Sequence, residues 1–321
     1  DYIEFNTASN GHYTIGTIGG NPNSSTDDNK KMLFGHPGGG TSKTTIVVGE
    51  SINEFTSSNV TYDADGSKSV SKASYDGVDV TQELSIIENS ATGRDDVVKI
   101  KYIVKNDTEY AKQVGIRIMM DTMLGGNDAA PFRVNGSDVT TETVYSGSNI
   151  PQIWQAFDSA TNPGVVAQGT FYKSGDRKPD KVQFTNWGNV TSTLWDYVTQ
   201  PGRSNGDSAV SITWNKDTFT SGETREFVTY YGLSELEQNL IPPLALSVYA
   251  DNKVSISNFN YDDINANVYL DNIGDGDATD VSIKITADNL EPKYGTSLTH
   301  NYSVIKPSKS YSIPLKFIVP T

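Results

Sequence analysis

Three oxygen-bearing side chains lie close together in the sequence, directly after an apolar segment. Residues 114–120 alternate in the pattern of a buried strand, and Asp121 follows immediately. The next turn contains Gly125 and Gly126 and carries Asn127 and Asp128. Because calcium prefers carboxylate, amide and carbonyl oxygens gathered at one point, we predict a calcium site at Asp121, Asn127 and Asp128. The alternative is that Asp121 caps the loop backbone and the glycines only turn the chain.

Two further groups of acids are candidate calcium ligands. Asp63 and Asp65 begin an Asp-x-Asp-Gly segment, as an oxygen-ligand loop does, but the downstream bidentate Glu of an EF-hand is missing. The other group lies near the C-terminus and is also explained by a turn without metal: Asp271, Asp275, Asp277 and Asp280. Calcium is therefore the predicted cofactor, and no complete spacing motif fixes its ligands.

All four tryptophans fall between positions 151 and 215. Trp154 and Trp214 sit in alternating segments and are predicted to be buried. Trp187, Trp195 and Tyr197 follow or flank the turn at residues 188–189, and could form a stacking platform for a sugar. The alternative is that these rings belong to the core, where large aromatic side chains more often lie.

Signs of nucleophilic or acid–base catalysis are weak. The sequence has no Gly-x-Ser-x-Gly segment, and His12, His36 and His300 are widely separated. His36 lies in a Gly-rich loop, where a simple loop role is favoured over contact with a substrate. Pairs of carboxylates could always be chosen from 39 acids, so such a choice means little without geometry. We predict that the chain is not an enzyme.

The strand signals predict an all-β chain of two domains. Residues 1–236 form a large antiparallel two-sheet sandwich, residues 237–243 a Pro-Pro linker, and residues 244–321 a small immunoglobulin-like β-sandwich. Three successive strands near residues 78–86, 97–105 and 114–120 are expected to form the centre of one large sheet.

Composition limits the partners. The net charge of −14 and the pI near 4.6 argue against nucleic acid, because no basic patch is present to neutralise phosphates. No segment approaches 18 apolar residues, so no membrane span is expected. The absence of cysteine, the many Gly, Tyr, Asn, Ser and Thr residues, and a chain that starts at Asp1 lead us to expect a processed protein, secreted to the cell surface.

Two passages resemble known families. Residues 272–281, with an Asn-x-Gly turn before a strand that opens Ala-x-x-Val, resemble the CARDB-like immunoglobulin-like modules of bacterial and archaeal surface proteins. The first 236 residues are similar to a "supersandwich" type of domain in secreted and cell-wall proteins of clostridia, in segments such as 33–37, 91–94 and 120–125. The first resemblance implies adhesion, spacing or assembly, and neither supplies an active residue.

The two ends of the chain carry short apolar strands that could pair with another copy. The candidate assembly residues are Tyr2, Ile3, Phe5, Leu315, Phe317 and Val319. Edge pairing of this kind is head-to-tail and propagates into a fibre, although both strands could instead serve their own domains. We predict a calcium-stabilised structural subunit of an extracellular filament or surface layer, with copies of itself as partners. The alternative is a carbohydrate-binding module of a secreted cellulose-degrading complex, which would bind cell-wall or plant polysaccharide; a mutarotase-like enzyme is a more remote third reading.

Overall fold

The computed structural model confirms an all-β protein. It describes residues 2–319 apart from positions 23, 90–91, 136, 162, 235–243, 252–255, 258–259, 262, 273–276 and 308, so the expected linker at 237–243 lies outside the described residues. The chain divides into two compact units, Asp1–Arg133 with Asp138–Leu236, and Val134–Ser137 with Glu237–Thr321. Among the described residues, no helix is both long enough and apolar enough to cross a membrane.

The first unit consists of short and long strands with little helix. In chain order its elements are β1 (Ile3–Thr7), β2 (Tyr13–Thr17), β3 (Lys43–Val48), β4 (Ser51–Glu54), β5 (Val60–Tyr62), β6 (Lys68–Tyr75), β7 (Val78–Asn89), β8 (Arg94–Asn106), β9 (Lys112–Asp121), β10 (Phe132–Val134), β11 (Ser137–Val139), β12 (Thr143–Ser146), a 3₁₀ turn (Gly147–Asn149), β13 (Ile153–Phe157), β14 (Val166–Thr170), β15 (Lys181–Asn186), α1 (Trp187–Val190), β16 (Ser208–Phe219) and β17 (Thr224–Leu233).

Most of these strands form two antiparallel sheets. In the described part of the chain, one sheet has nine strands in the order β11-β10-β13-β14-β17-β8-β7-β6-β5. The other has six strands in the order β12-β15-β16-β9-β3-β4, and β1 pairs with β2 as a separate hairpin. The predicted two-sheet sandwich is therefore confirmed.

An aromatic core lies between the two sheets. Phe184 of the six-stranded sheet packs against Phe132 and Trp154 of the nine-stranded sheet, with ring centroids 5.0 and 5.8 Å apart. Trp214 lies 5.5 Å from Phe227 in the same way. Trp154 and Trp214 are fully buried, as their alternating segments predict. Such rings bury large apolar areas and dominate the energetics of a core.

The expected run of three neighbouring long strands is wrong at its third member. β7 and β8 pair along their length, but β9 crosses to the six-stranded sheet, where it lies between β16 and β3. Residues 114–121 are all buried, on both faces of the strand. An alternating pattern predicts a strand without saying which sheet it joins, and the second face of β9 is covered by a segment far along the chain.

That segment, residues 187–207, is called the strap below. It lies on the outer face of the six-stranded sheet, where Met119 of β9 forms a buried cluster with Val190 and Tyr197 of the strap. Trp195 lies over Gly115, since a Cβ atom at position 115 would come within 2.6 Å of the indole ring. The strap therefore closes the side of β9 that does not face the aromatic core.

A buried carboxylate fastens the strap to the sheet. Glu142 accepts hydrogen bonds from the Tyr197 hydroxyl at 2.8 Å, Gln200 N at 2.6 Å, Thr185 Oγ1 at 2.9 Å and Asn189 Nδ2 at 3.1 Å. Burial alone would raise the pKa of Glu142, but these hydrogen bonds outweigh it and hold the pKa below its usual value. All of its acceptor capacity is used inside the protein, so Glu142 is a structural residue.

The second unit is a smaller β-sandwich. Its strands are β18 (Leu244–Ala250), β19 (Ile256–Ser257), β20 (Asn260–Tyr261), β21 (Ile264–Asn272), β22 (Ala278–Lys284), β23 (Glu291–Pro292), β24 (Thr299–Ile305) and β25 (Ser310–Ile318). In the described residues, β18-β21-β25-β23 form one sheet, and β22-β24 and β19-β20 form two others. Ile283 of β22 and Ile305 of β24 join Leu270 of β21 in one core.

The terminal strands lie in their own units, which is the alternative given for them above. Ile3 and Phe5 are buried in β1, and the Tyr2 carbonyl accepts from Ile18 N and Gly20 N. β25 is an inner strand between β21 and β23, with Leu315 and Phe317 in the core, and Val319 follows its end. Because pairing between copies would use the backbone edges of these strands, the assembly role of the ends stays a prediction.

Candidate metal centre

Asp121 ends β9 on the face that the strap covers. Residues two apart share a face of a strand, so Asp121 lies on the same side as Met119 and Arg117. Its backbone N donates to Ser42 Oγ at 3.0 Å, and its carboxylate accepts from the Thr41 hydroxyl. The strand and the neighbouring segment at residues 41–42 therefore fix the position of this carboxylate.

Asp128 and Asp207 lie near Asp121 because the backbone of Ser208 links their two segments. Ser208 N donates to the Asp128 carbonyl at 2.8 Å, and Thr122 N donates to the Ser208 carbonyl at 2.9 Å. These bonds hold the turn after β9 against the start of β16. Asp207, directly before Ser208, has a positive φ of 66°, a conformation that Asp tolerates better than most residues. Sequence reasoning missed Asp207 because it depends on the pairing of β9 with β16.

The three carboxylates form a group that can hold one cation. Each of Asp121, Asp128 and Asp207 offers an oxygen, and these oxygens lie within 4.8 Å of one another. Oxygens on opposite sides of a calcium ion are separated by roughly 4.6–5.2 Å, twice the Ca–O distance. Asp121 is 2% exposed, and its Oδ1, like Asp128 Oδ1, is buried without a hydrogen-bond partner. Buried polar atoms in folded proteins nearly always have a partner, so these two oxygens are suited to coordinate a cation.

The electrostatics of the group point the same way. Burial, together with the charges of Asp207 and Asp128, raises the pKa of Asp121 to about 7, although the hydrogen bond from Thr41 opposes this increase. Burial also raises the pKa values of Asp128 and Asp207, while Lys31 lowers that of Asp128. Three ionised carboxylates at this spacing repel one another unless a proton or a cation compensates them. A set of carboxylate oxygens without His or Cys suits a hard cation such as calcium.

Asn127 is the predicted ligand that the structure removes from the group. Its Nδ2 donates to the Asp158 carbonyl at 2.9 Å, and its Oδ1 accepts from Ala129 N at 2.9 Å. Both ends of the amide are thus used to shape the turn, in which Gly125 has a φ of 60°. The glycine-rich turn is confirmed, but its amide works on the backbone and does not point to the carboxylates.

In the part of the chain that the structure describes, neither of the other predicted calcium clusters brings three carboxylates together. Asp63 and Asp65 are exposed at the turn between β5 and β6, where Asp63 accepts from Lys68 N at 3.0 Å and Asp65 from Ser67 N at 2.9 Å. Their carboxylates therefore cap the turn. In the C-terminal cluster, Asp277 is paired with Lys306, Asp271 and Asp280 lie on strands β21 and β22, and Asp275 lies outside the described residues.

The three rings of the expected sugar platform are not equivalent. Tyr197 is 8% exposed, and its hydroxyl is bonded to Glu142, so it belongs to the strap core. Trp195 is half-buried, with its ring lying over Gly115. Trp187 is also half-buried, and its backbone N donates to the Asp207 carbonyl at 2.7 Å. The three side chains thus differ in their burial, and Trp187 is the one joined to Asp207 through its backbone.

The histidines do not assemble a catalytic group. His36 is 6% exposed, with Nδ1 3.1 Å from Thr14 Oγ1 and Nε2 3.0 Å from Glu4 Oε1. Burial lowers the pKa of His36, although the neighbouring Glu4 acts to raise it. His12 lies beside Glu54 in the same unit, and His300 lies in the other unit. The loop role favoured for His36 agrees with its buried position.

Comparisons with known proteins give structural likenesses alone. No family model matches the chain, and no curated protein matches its sequence. A polysaccharide lyase is 10% identical to this chain with a TM-score of 0.45, and the alignment covers 98% of this chain and 45% of the lyase chain. A galactose mutarotase-related enzyme from Lactobacillus acidophilus is 8% identical with a TM-score of 0.30, and the alignment covers 53% of this chain and 68% of the enzyme chain. A xanthan lyase from Paenibacillus is 10% identical with a TM-score of 0.29, and the alignment covers 81% of this chain and 28% of the lyase chain.

These structural neighbours correct one expectation. They are carbohydrate-related proteins described as enzymes, which contradicts the prediction of a chain without enzymatic activity, and that prediction is withdrawn. The chain spans less than half the length of the polysaccharide lyase. With TM-scores below 0.5, the likenesses assign no reaction, substrate or active residue to this chain.

Proposed function

We propose that the large unit binds a divalent cation of the calcium class through Asp121, Asp128 and Asp207. The observation that carries this proposal is the Asp121 Oδ1 atom, which is buried without a partner and shares its surroundings with two other carboxylates. The cation compensates their mutual repulsion and occupies the unpaired acceptors. Backbone carbonyls of the loops and water complete the six to eight oxygen ligands that calcium takes.

The cation has a mechanical role in this proposal. It joins the end of β9, the turn at residues 122–131 and the end of the strap, because each segment contributes one of the three carboxylates. The chain has no cysteine, so disulfide bonds do not cross-link these segments. A ligand bound to the folded state alone stabilises it in proportion to the logarithm of its concentration. Calcium therefore serves as the cross-link of this face.

Terbium luminescence tests the proposal. Terbium replaces calcium at oxygen sites and is excited through a nearby indole, and Trp187 adjoins Asp207 through a backbone hydrogen bond. Titration of the purified protein is expected to give saturable emission that calcium displaces. Trp187→Phe should lower the emission without lowering calcium affinity, and Asp207→Asn should lower both. Emission that does not saturate, or that survives in Asp207→Asn, would contradict the site.

Carbohydrate binding is a second candidate function at the same place. The half-buried Trp187 is joined to Asp207 through its backbone N, and calcium with three protein carboxylates keeps coordination positions for the neighbouring hydroxyls of a sugar. Retention on immobilised plant or cell-wall polysaccharide is expected in calcium, to be lost in chelator, and to be weakened by Trp187→Ala. Retention that is indifferent to both changes would place any sugar site elsewhere.

A further inference from the structure

The outer face of the six-stranded sheet beneath the strap is polar, although it is buried. Arg117 of β9 lies directly opposite Thr45 of β3 on one side and Thr213 of β16 on the other. The exposed fractions of these three residues are 1%, 1% and 2%. Paired residues of antiparallel strands share a face, so both hydroxyls flank the arginine side chain.

Arg117 is a buried cation without a carboxylate partner. Its Nη1 donates to the Trp195 carbonyl at 2.9 Å and its Nη2 to the Val190 carbonyl at 3.5 Å, whereas its Nε has no acceptor. No carboxylate of the described residues forms an ion pair with it within 4.0 Å. A buried charge is costly unless it is paired, because water no longer solvates it.

The other cations around this face do have partners. Lys181, opposite Thr213, pairs with Asp196 at 2.9 Å, and Lys43 pairs with Glu54 at 3.3 Å. Among the described residues around this face, the arginine at the centre of the row has no carboxylate within 4.0 Å, and Asp196, which pairs with Lys181, acts on it at longer range. Two neutral carbonyls satisfy part of its hydrogen-bonding capacity but do not supply a counter-charge.

The flanking hydroxyls also lack partners. Thr45 Oγ1 and Thr213 Oγ1 are buried with no hydrogen-bond partner, and either hydroxyl can rotate to donate. Ser211 Oγ and Gln183 Oε1, which lie opposite each other in the next row, are also unpartnered. The amide oxygen of Gln183 is an acceptor, so it suits a donor such as the Ser211 hydroxyl and would repel an anion. The donors without acceptors thus concentrate at Arg117 and its two threonines.

We propose that Arg117 Nε and the hydroxyls of Thr45 and Thr213 hold a small inorganic monoanion of the chloride class. The anion accepts from these three donors and supplies the counter-charge that the guanidinium lacks. The near-complete burial of all three residues excludes larger anions, including the carboxylate of a sugar acid. The site is separate from the cation site at Asp121, and its occupant holds the strap by neutralising the arginine that binds the strap carbonyls.

Bromide replacement tests this site in the intact protein. Crystals grown in sodium bromide, with calcium saturating, are expected to show an anomalous peak at hydrogen-bond distance from Arg117 Nε. Crystals grown in sodium chloride should show density at the same position without that peak. Water-like density that is unchanged by bromide, or no density at all, would overturn the proposal.

Chloride-dependent stability gives a second test in solution. At constant ionic strength and saturating calcium, raising chloride from about 1 to about 100 mM in place of gluconate should lower the unfolding equilibrium constant roughly tenfold, for a dissociation constant near 10 mM. Thr213→Val should weaken this dependence and Arg117→Met should abolish it. Thr224→Val, at an exposed position of β17, is the matched control and should keep it. Equal chloride dependence in all four proteins would contradict the site.

Discussion

Asp207 lies two residues before Ala209, and Ala209 is the residue that pairs with Asp121 across β16 and β9. Because the two strands are antiparallel, the end of β9 meets the start of β16. The carboxylates of Asp121 and Asp207 therefore meet at one end of these two inner strands of the six-stranded sheet, although the residues are far apart in the sequence. Asp128 joins them through the bond from Ser208 N to its carbonyl.

Removal of one ligand charge should weaken cation binding without unfolding the protein. Asp207→Asn is expected to lower calcium affinity at least about tenfold, because affinity in oxygen sites depends on the number of charged ligands. Calcium titration in a calorimeter measures the change. Asp65→Asn, at an exposed turn that was also a predicted calcium ligand, should leave the affinity unchanged. A loss of affinity in Asp65→Asn alone would move the site to the β5–β6 turn.

Calcium-free protein should lose stability as the pH rises from about 4 to about 7. The pKa of Asp121 is raised from 3.8 to about 7, so the folded protein keeps a proton in this window that the unfolded chain releases. The full difference corresponds to about 4 kcal/mol. Urea unfolding in chelator at several pH values measures this fall. In saturating calcium the fall should disappear, since the cation favours the ionised carboxylate.

The matched variant for the pH series is Asp121→Asn. The stability of this variant should fall less over this pH range, and by the same amount in chelator and in calcium. The smaller remaining fall belongs to Asp128 and Asp207, whose pKa values are also raised. Acids with lowered pKa values contribute outside this window; that of Asp217 is about 2, because Arg225 donates to it. A pH dependence that is the same in the calcium-free wild type and in calcium-free Asp121→Asn would contradict the raised pKa of Asp121.

The buried carboxylate under the strap should be sensitive to a neutral replacement. Glu142→Gln is expected to reduce the free energy of unfolding by about 2–3 kcal/mol, since several donors lose a charged acceptor and the new amide N–H groups face other donors. Urea unfolding followed by tryptophan fluorescence measures this loss. Glu226→Gln, at an exposed position of β17, should change stability by less than about 0.5 kcal/mol. Equal effects of the two substitutions would remove the special role of Glu142.

Phe317 distinguishes a core role from an assembly role. In the core of the second unit, Phe317→Ala should destabilise that unit by about 3–5 kcal/mol. All four tryptophans lie in the first unit, so the unfolding transition followed by tryptophan fluorescence should match that of the wild type. Circular dichroism should show an additional transition at lower denaturant concentration. A variant of full stability that has lost self-association would restore Phe317 to an assembly surface.

Local patterns in the sequence predict most elements of the fold. The alternation in residues 78–86 and 97–105 predicts two antiparallel strands, and β7 and β8 form that pair. The same pattern in residues 114–120 predicts a strand but not its sheet, because the crossing from β8 to β9 depends on tertiary packing. The sequence left the role of the terminal strands open for a related reason, since a short apolar strand has the same sequence whether it is an inner strand or a free one.

The candidate site was half predictable. Asp121 and Asp128 stand out because one ends an apolar strand and the other follows two glycines. Asp207 has no such local signal, apart from its place directly before the alternating segment of β16, and the β9–β16 register decides its role. Arg117 was visible as a charged residue on one face of a buried strand. Its missing counter-charge becomes evident once the strap covers that face.

Calorimetric titration of calcium into the wild type and Asp121→Asn, both treated with chelator beforehand, tests the central claim most directly. One calcium per chain is expected to bind to the wild type, with a matching increase in the thermal unfolding temperature. Asp121→Asn should show neither the binding nor the increase, while remaining folded. No binding to the wild type, or identical binding to both proteins, would contradict a cation site at Asp121, Asp128 and Asp207.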